Sequence, residues 1–434
     1  MKRVSFQTLG CKLNYAETHT ITRQFREGGF QVVDARERAD VVVVNTCSVT
    51  ENADRECRKL IRRALRVSPA AYVVVIGCYA QLRPEEIASI HGVDLVLGTR
   101  EKFEIFRRAD GFRKGSYPRV EVGDIAEADM FIPSFAADGA ERSRAFLKVQ
   151  DGCDYTCSFC TIPMARGASR SRGVEETLTD AREIIARGFH EIVLSGVNVG
   201  DYGRKTGSSF HELLQGLISL GGDFRLRISS IEPNLLSNEI IALTASSDKM
   251  CRHFHIPLQS GSDDILRAMR RRYTAPQFRD RVVAAREAMP DCCIGVDVIV
   301  GFPGETTEHF LETYELLRDL PVSYLHVFSY SARPGTEAET LDRAPVEPGE
   351  RHRRSAMLRS LSEKKRLAFY REQLGTTAEV ILEHPDANGV LSGFTGNYIR
   401  VKVPDAGPEL QNTRVRVLLD ALEEGVVRGV ILDE

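Results

Sequence analysis

Cys153-Asp154-Tyr155-Thr156-Cys157-Ser158-Phe159-Cys160 directly follows a predicted strand at 146–150 and has the spacing C-x3-C-x2-C. Three thiolates this close hold three irons of a cubane cluster. Ferredoxin-type sites close the cluster with a fourth cysteine, and none follows in this loop, so one iron is left open to bind and reduce a substrate. The competing metal is zinc. Structural zinc sites want four ligands, and the loop from Asp151 to Arg172 contains no histidine to complete one.

Outward from this loop, the chain reads as alternating strands and helices. On the C-terminal side, strands are expected near 191–195, 224–229, 253–257, 295–300 and 324–330. Helices are expected near 175–188, 210–220, 235–246, 262–271, 276–288 and 306–319. With the strand at 146–150 this makes six βα units, enough for an open or partial (β/α) barrel whose chemistry sits at the C-terminal ends of the strands. The residues just past those strands are small or polar. Ser195 and Gly196, Ser229 and Glu232, Gln259, and Gly301 are therefore candidates to line one mouth, the glycines by letting a cofactor approach the backbone and the polar side chains by hydrogen-bonding it.

On the N-terminal side, strand-like runs at 4–9, 41–44, 72–76 and 95–97 alternate with helical patterns at 15–28, 50–66, 84–90 and 101–109, the signature of a parallel α/β sheet. Residues 111–143 lack periodicity and carry Gly111, Gly115, Pro118, Gly123, Pro133 and Gly139, which marks a connecting segment. A basic helix is expected over about 349–373, followed by short strands at 378–383, 398–403, 413–418 and 425–431 that suit a small β-barrel. The fold class is thus α/β with four segments: 1–110, the connecting segment 111–143, the barrel 144–374 and the small β-barrel 375–434.

The other cysteines divide by position. Cys11, Cys47 and Cys78 each directly follow a predicted strand, so in a parallel sheet they converge at one edge, where such folds bind ligands. The alternative is three small hydrophobes in a core, since cysteine is often buried. Cys57, Cys251, Cys292 and Cys293 show no ligand spacing and are expected to be structural. With no apolar leader or membrane-length run, the expected location is cytoplasmic, and in such a reducing compartment the ten cysteines are expected to be metal ligands or buried small hydrophobes and not a disulfide framework. The net charge of −3 excludes a global polycationic field, so any nucleic-acid affinity must be local.

With an aromatic, Phe159, before its third cysteine, the 153–160 loop resembles that of the radical S-adenosylmethionine superfamily. In that superfamily the open iron chelates S-adenosylmethionine and splits it to a deoxyadenosyl radical. A three-cysteine α/β domain, a radical barrel and a small RNA-binding β-barrel of the TRAM kind form the plan of the methylthiotransferases, and the resemblance covers essentially the whole chain. Within that family, Thr8-Leu9-Gly10-Cys11-Lys12-Leu13-Asn14, Ile162-Pro163-Met164-Ala165-Arg166-Gly167 and Arg227-Ile228-Ser229-Ser230-Ile231-Glu232-Pro233 resemble the bacterial MtaB branch, although Met164 stands where relatives carry an aromatic.

The resemblance implies two [4Fe-4S] clusters, on Cys153/Cys157/Cys160 and on Cys11/Cys47/Cys78, together with S-adenosylmethionine. The implied activity is methylthiolation of carbon 2 of N6-threonylcarbamoyladenosine beside the anticodon of tRNA. An electron donor of the flavodoxin or ferredoxin type and a sulfur source are implied as partners, and nothing demands more than a monomer. Expected phosphate contacts are Arg166, Arg170 and Arg172 beside the radical loop and Arg400 and Lys402 in the last domain, with Phe394 and Tyr398 for base stacking. The 100–119 segment and the basic helix are further candidates. Against a strong grip by the last domain, residues 371–434 carry six Lys/Arg and eleven Asp/Glu. Three rivals remain: a methylthiotransferase for an aspartate of a ribosomal protein, one for N6-isopentenyladenosine in tRNA, and a non-catalytic RNA-binding iron–sulfur protein.

Overall fold

The computed structural model describes residues 1–137 and 143–432; Gly139 lies outside the described residues. The chain forms two compact units that do not follow its linear order. One comprises Met1–Ala136, Lys148–Ser171 and Ser331–Thr340, and the other comprises the remaining described residues.

The first unit is built on a six-stranded parallel sheet. Its strand order is Gln31–Val33, Arg3–Thr8, Val41–Thr46, Tyr72–Gly77, Leu95–Leu97, Arg119–Glu121. The unbroken valine run 41–44 is explained by burial on both faces. Val42 and Val44 pack with Cys57, Ile61, Val73 and Val75 on one side, while Val41 and Val43 pack with Ile21, Phe25, Val74 and Ile76 on the other. Helix Lys12–Glu27 covers the second face and Glu51–Val67 the first, the latter capped by Thr50, whose hydroxyl accepts from the Ala53 N–H. Two strands of this sheet were not expected: Gln31–Val33, and Arg119–Glu121 inside the segment read as connecting. At three residues each they are too short to show a period of two, and pairing with the sheet edge decides them.

The second unit contains the barrel strands. Glu191–Ser195 lies between Ala145–Lys148 and Arg225–Ile228, and a parallel sheet runs His253–His255, Cys293–Val300, Tyr324–Ser329. Parallel bridges Leu226–Met250 and Gln259–Val298 join the series. These are the six strands expected from the sequence. The same unit ends in a closed five-stranded barrel of Thr377–Leu382, Leu391–Thr395, Arg400–Val403, Val426–Ile431 and Arg414–Glu423. The sequence reading lacked Leu391–Thr395, where glycine and serine dilute the apolar alternation.

The basic helix is Pro348–Glu372. Several of its cations are committed internally. Arg354 is buried against Glu305 at 2.8 Å, Lys365 donates to the carbonyls of Arg318 and Leu320, and Arg366 pairs with Glu363. Among the described residues no helix is long and apolar enough to cross a membrane.

Candidate functional site

Both cysteine triads lie in the first unit. Cys11, Cys47 and Cys78 follow the C-terminal ends of three strands that are adjacent in the sheet. They run from exposed (Cys11) through half-buried (Cys47) to buried (Cys78). Burial pushes the Cys47 thiol up to about 12, with the neighbouring Cys78 adding to it, and burial likewise raises Cys78. Left alone these two sulfurs would stay protonated, and a bound metal would supply the positive charge that turns them into ligands.

The backbone around this triad is tightly made. Asn14, in the first turn after Cys11, donates through Nδ2 to the carbonyls of Leu9 at 3.0 Å and Thr46 at 3.1 Å, tying the first two loops together. Thr46 Oγ1 donates to the Ile76 carbonyl at 2.6 Å, tying the second to the third. Gly77 has φ +100°, and a β-carbon there would stand 2.4 Å from the Thr46 carbonyl oxygen. Gly77→Ala is therefore expected to cost about 1–3 kcal/mol and to dislodge the adjoining Cys78, read out as a lower urea midpoint and fewer irons per chain after anaerobic reconstitution. Cys57, expected to be structural, has a more particular place: its sulfur accepts from the Cys47 N–H and donates to the Cys47 carbonyl, both at 3.3 Å.

The second loop is closed at its base. Gln150–Asp151 pairs with Arg170–Ser171, the Cys153 N–H donates to the Gly167 carbonyl at 3.0 Å, and the Ser169 N–H donates to Asp154 at 2.8 Å. Two backbone donors approach the sulfurs at 3.4 Å, from Tyr155 to Cys153 and from Ile162 to Cys160. Phe159 is half-buried between Ser158 and Cys160. The two loops also meet each other. Thr161 Oγ1 donates to the Ser48 carbonyl at 3.4 Å, and Arg166, five residues further, donates to Asn14 Oδ1 at 2.7 Å. Segment 331–340 holds both: Arg333 reaches Ser48 at 2.8 Å and Asp54 at 2.6 Å, and the Ala338 N–H donates to the Ser158 carbonyl at 2.8 Å.

Among the described residues, His255, Asp297 and His326 bring three ligand atoms within 4.8 Å of one another. At the second loop, backbone N–H groups aimed at the Cys153 and Cys160 sulfurs suit thiolates that carry a cluster.

In the second unit the strand-end residues divide. Ser229 Oγ is buried and makes no hydrogen bond, so it fits a donor waiting for a ligand. Gln259 sits at φ +66° with its N–H given to Asp297 and its carbonyl taken by Ile299, a left-handed non-glycine of the sort that clusters at ligand sites. Ser195 Oγ donates to the Val193 carbonyl at 3.2 Å, and Gly196 is half-buried. Glu232 is paired with Arg271, so its carboxylate is already engaged. Gly301 corrects the expectation of a cofactor-facing glycine: a β-carbon there would meet Arg351 Cδ and Cγ at 2.3 Å, so a side chain of helix Pro348–Glu372 requires the glycine.

Two expected RNA contacts are also corrected. Arg166 and Arg170 are 1% and 9% exposed and committed to buried carboxylates, which removes them from any phosphate. Arg172 is half-buried and paired with Asp180 at 2.8 Å. Arg400 and Lys402 do point outward on one strand face. Phe394 and Tyr398 stack on each other at 4.8 Å, with Arg144 and Arg400 over the Phe394 ring and Arg227 over Tyr398, so their faces are occupied.

Comparison with known proteins agrees with this geometry. Residues 3–98 match the uncharacterized protein family UPF0004 and residues 147–317 the radical SAM superfamily. The threonylcarbamoyladenosine tRNA methylthiotransferase MtaB of Bacillus subtilis is 40% identical over 92% of this chain and 90% of its own. The chain belongs to the MtaB-type methylthiotransferases. As a member of this family of radical S-adenosylmethionine transferases it uses S-adenosylmethionine, a [4Fe-4S] cluster and a second cluster. A tRNA-2-methylthio-N(6)-dimethylallyladenosine synthase of Parafrankia is 34% identical over 98% of this chain and 87% of that one. The solved structure of the radical S-adenosylmethionine methyltransferase TsrM from Kitasatospora setae, with cobalamin and a [4Fe-4S] cluster bound, shares the fold. It has a TM-score of 0.57 and 17% identity, covering 78% of this chain and 77% of that chain.

Proposed function

We propose that this enzyme transfers a methylthio group to carbon 2 of N6-threonylcarbamoyladenosine beside the anticodon of tRNA. The observation that carries it is the placement of two separate cysteine triads in one compact unit, their loops joined by Arg166–Asn14 and Thr161–Ser48, in a chain 40% identical to the Bacillus enzyme of that name. When bound, the clusters and S-adenosylmethionine supply the electron, the radical, the sulfur site and the methyl group. The protein's share is to hold and orient these groups and to keep competing reactions out.

Cys153, Cys157 and Cys160 hold the cluster that reduces S-adenosylmethionine, and Cys11, Cys47 and Cys78 hold the one that carries sulfur. The Tyr155 and Ile162 N–H groups stabilise charge on the Cys153 and Cys160 sulfurs, a recognised lever on cluster chemistry. Ser229, with its unmatched hydroxyl, Gln259, Ser195 and Gly196 are assigned to binding S-adenosylmethionine, and Phe159 is assigned the same role within the cysteine loop. Outward-facing Arg400 and Lys402 are assigned to tRNA phosphates through the closed barrel, read as TRAM-like. An electron donor of the flavodoxin or ferredoxin type, a sulfur source and a cytoplasmic location complete the proposal.

Mass spectrometry of tRNA nucleosides from a deletion strain tests it. The 2-methylthio derivative of N6-threonylcarbamoyladenosine should disappear and return on complementation. Loss of the methylthio-isopentenyl nucleoside instead would favour the relationship to the dimethylallyladenosine synthases, and loss of a methylthio-aspartate from a ribosomal protein would overturn the tRNA substrate.

A further inference from the structure

Beside the Cys11 triad, six charged side chains are buried together, none more than 9% exposed: Glu17, Lys102, Lys148, Asp151, Arg166 and Arg170. Glu17 receives Lys102 at 2.7 Å, Arg166 at 3.0 Å and Lys148 at 3.5 Å; Asp151 receives Arg166 at 2.9 Å, Lys148 at 3.2 Å and Arg170 at 3.3 Å. Burial alone would raise the Glu17 carboxyl, but Arg166, then Lys102 and Lys148, bring it down to about 2. Two arginines and two lysines thus share two carboxylates, and burial draws the Lys102 ammonium below its usual range. Buried charge is expensive unless matched, and the two guanidinium groups with Lys148 already outnumber the carboxylates, which calls for an anionic neighbour.

The geometry shows where that neighbour lies. Asn14 Oδ1, which accepts from Arg166 at 2.7 Å, also lies 4.0 Å from Cys11 Sγ. Helix Cys78–Leu82 packs directly on helix Ile162–Arg166, whose last residue is this arginine. A [4Fe-4S] core of charge +2 on three thiolates is anionic, and one-electron reduction makes it more so. Nearby fixed positive charge favours the reduced form, and net charge is one of the levers that sets cluster potentials.

We infer that Arg166, held by Glu17 and Asp151 and separated from Cys11 only by the Asn14 side chain, is a positioning residue whose buried charge raises the reduction potential of the cluster on Cys11, Cys47 and Cys78. Lys102 acts in the same sense. This rests on the reading above that the three cysteines hold a cluster.

The test uses the full chain carrying C153A, C157A and C160A, so that one cluster remains, reconstituted anaerobically and titrated potentiometrically with detection by electron paramagnetic resonance. R166Q is expected to lower the reduced-to-oxidised ratio at fixed potential about tenfold, which is 59 mV for a one-electron couple. K102M, which leaves Arg166 in place, should shift it in the same direction. R166K keeps the charge but loses the planar fork, and should stay within about threefold of the parent. Potentials unmoved in R166Q and K102M, or R166K shifting as far as R166Q, overturn the charge role. A parent chain that takes up no iron is a different failure, since it overturns the assignment of the triad itself.

Discussion

Replacing Cys153, Cys157 and Cys160 together by alanine is expected to halve the iron of the reconstituted chain, from about eight to about four per molecule, and to abolish reductive cleavage of S-adenosylmethionine. The fold should survive, because the loop is closed by contacts that spare the sulfurs: Gln150–Asp151 against Arg170–Ser171, and the Cys153 N–H on Gly167. The reciprocal change at Cys11, Cys47 and Cys78 should also halve the iron but leave cleavage standing while the methylthio nucleoside vanishes. The asymmetry is the informative part. On the proposed assignment each triad supplies three sulfurs to one cluster, so each loss removes one cluster, but only the 153–160 loop belongs to the radical SAM match at 147–317. Persistent cleavage in the first variant, or zinc in place of iron by elemental analysis of either, would sink the division of labour.

Much of the candidate site was legible because its cysteines are placed by strand ends and short spacing. Cys11, Cys47 and Cys78 were recognisable since each adjoins an apolar run, and parallel pairing of those runs brings them together. What the sequence hid is what depends on distant partners. Arg166 and Arg170 stand in an arginine-rich stretch that reads as a phosphate surface, and only Glu17 and Asp151, one of them 149 residues away, turn them inward. Glu17 itself sits in an amphipathic helix among polar neighbours, and a buried carboxylate has no local signature there. Phe394 and Tyr398 likewise read as exposed stacking platforms because the cations that cover them, Arg144 and Arg227, come from strand regions far earlier in the chain. Gly301 failed for the opposite reason: glycine past a strand signals close approach, but not by what.

The largest stability effect is expected at Glu191, a residue with no role in the chemistry. Its carboxylate is fully buried and receives Arg225 Nε at 2.7 Å and Arg227 Nε at 2.7 Å. The remaining nitrogens of those guanidinium groups donate to backbone carbonyls of the closed barrel: Glu379 and Phe394 from Arg225, Thr395 and Gly396 from Arg227. One carboxylate thus anchors two arginines that join the Glu191–Ser195 and Arg225–Ile228 strands to the barrel within the same unit. Glu191→Gln preserves size but leaves two buried cations without their anion, and about 3–5 kcal/mol should be lost. That is a large part of the stability of an ordinary domain.

The sign with pH is definite. The flanking arginines, Arg227 foremost, outweigh burial and hold the Glu191 carboxyl well below the usual range. Its stabilising contribution is therefore full above the unfolded value of about 4.3 and fades only as pH falls towards the depressed folded value. Between pH 5 and 8 the urea-unfolding difference between the parent and Glu191→Gln should be large and flat. A difference under about 1 kcal/mol, as for an exposed pair, or one that changes across that range, would show that the arginines hold the barrel through its carbonyls alone.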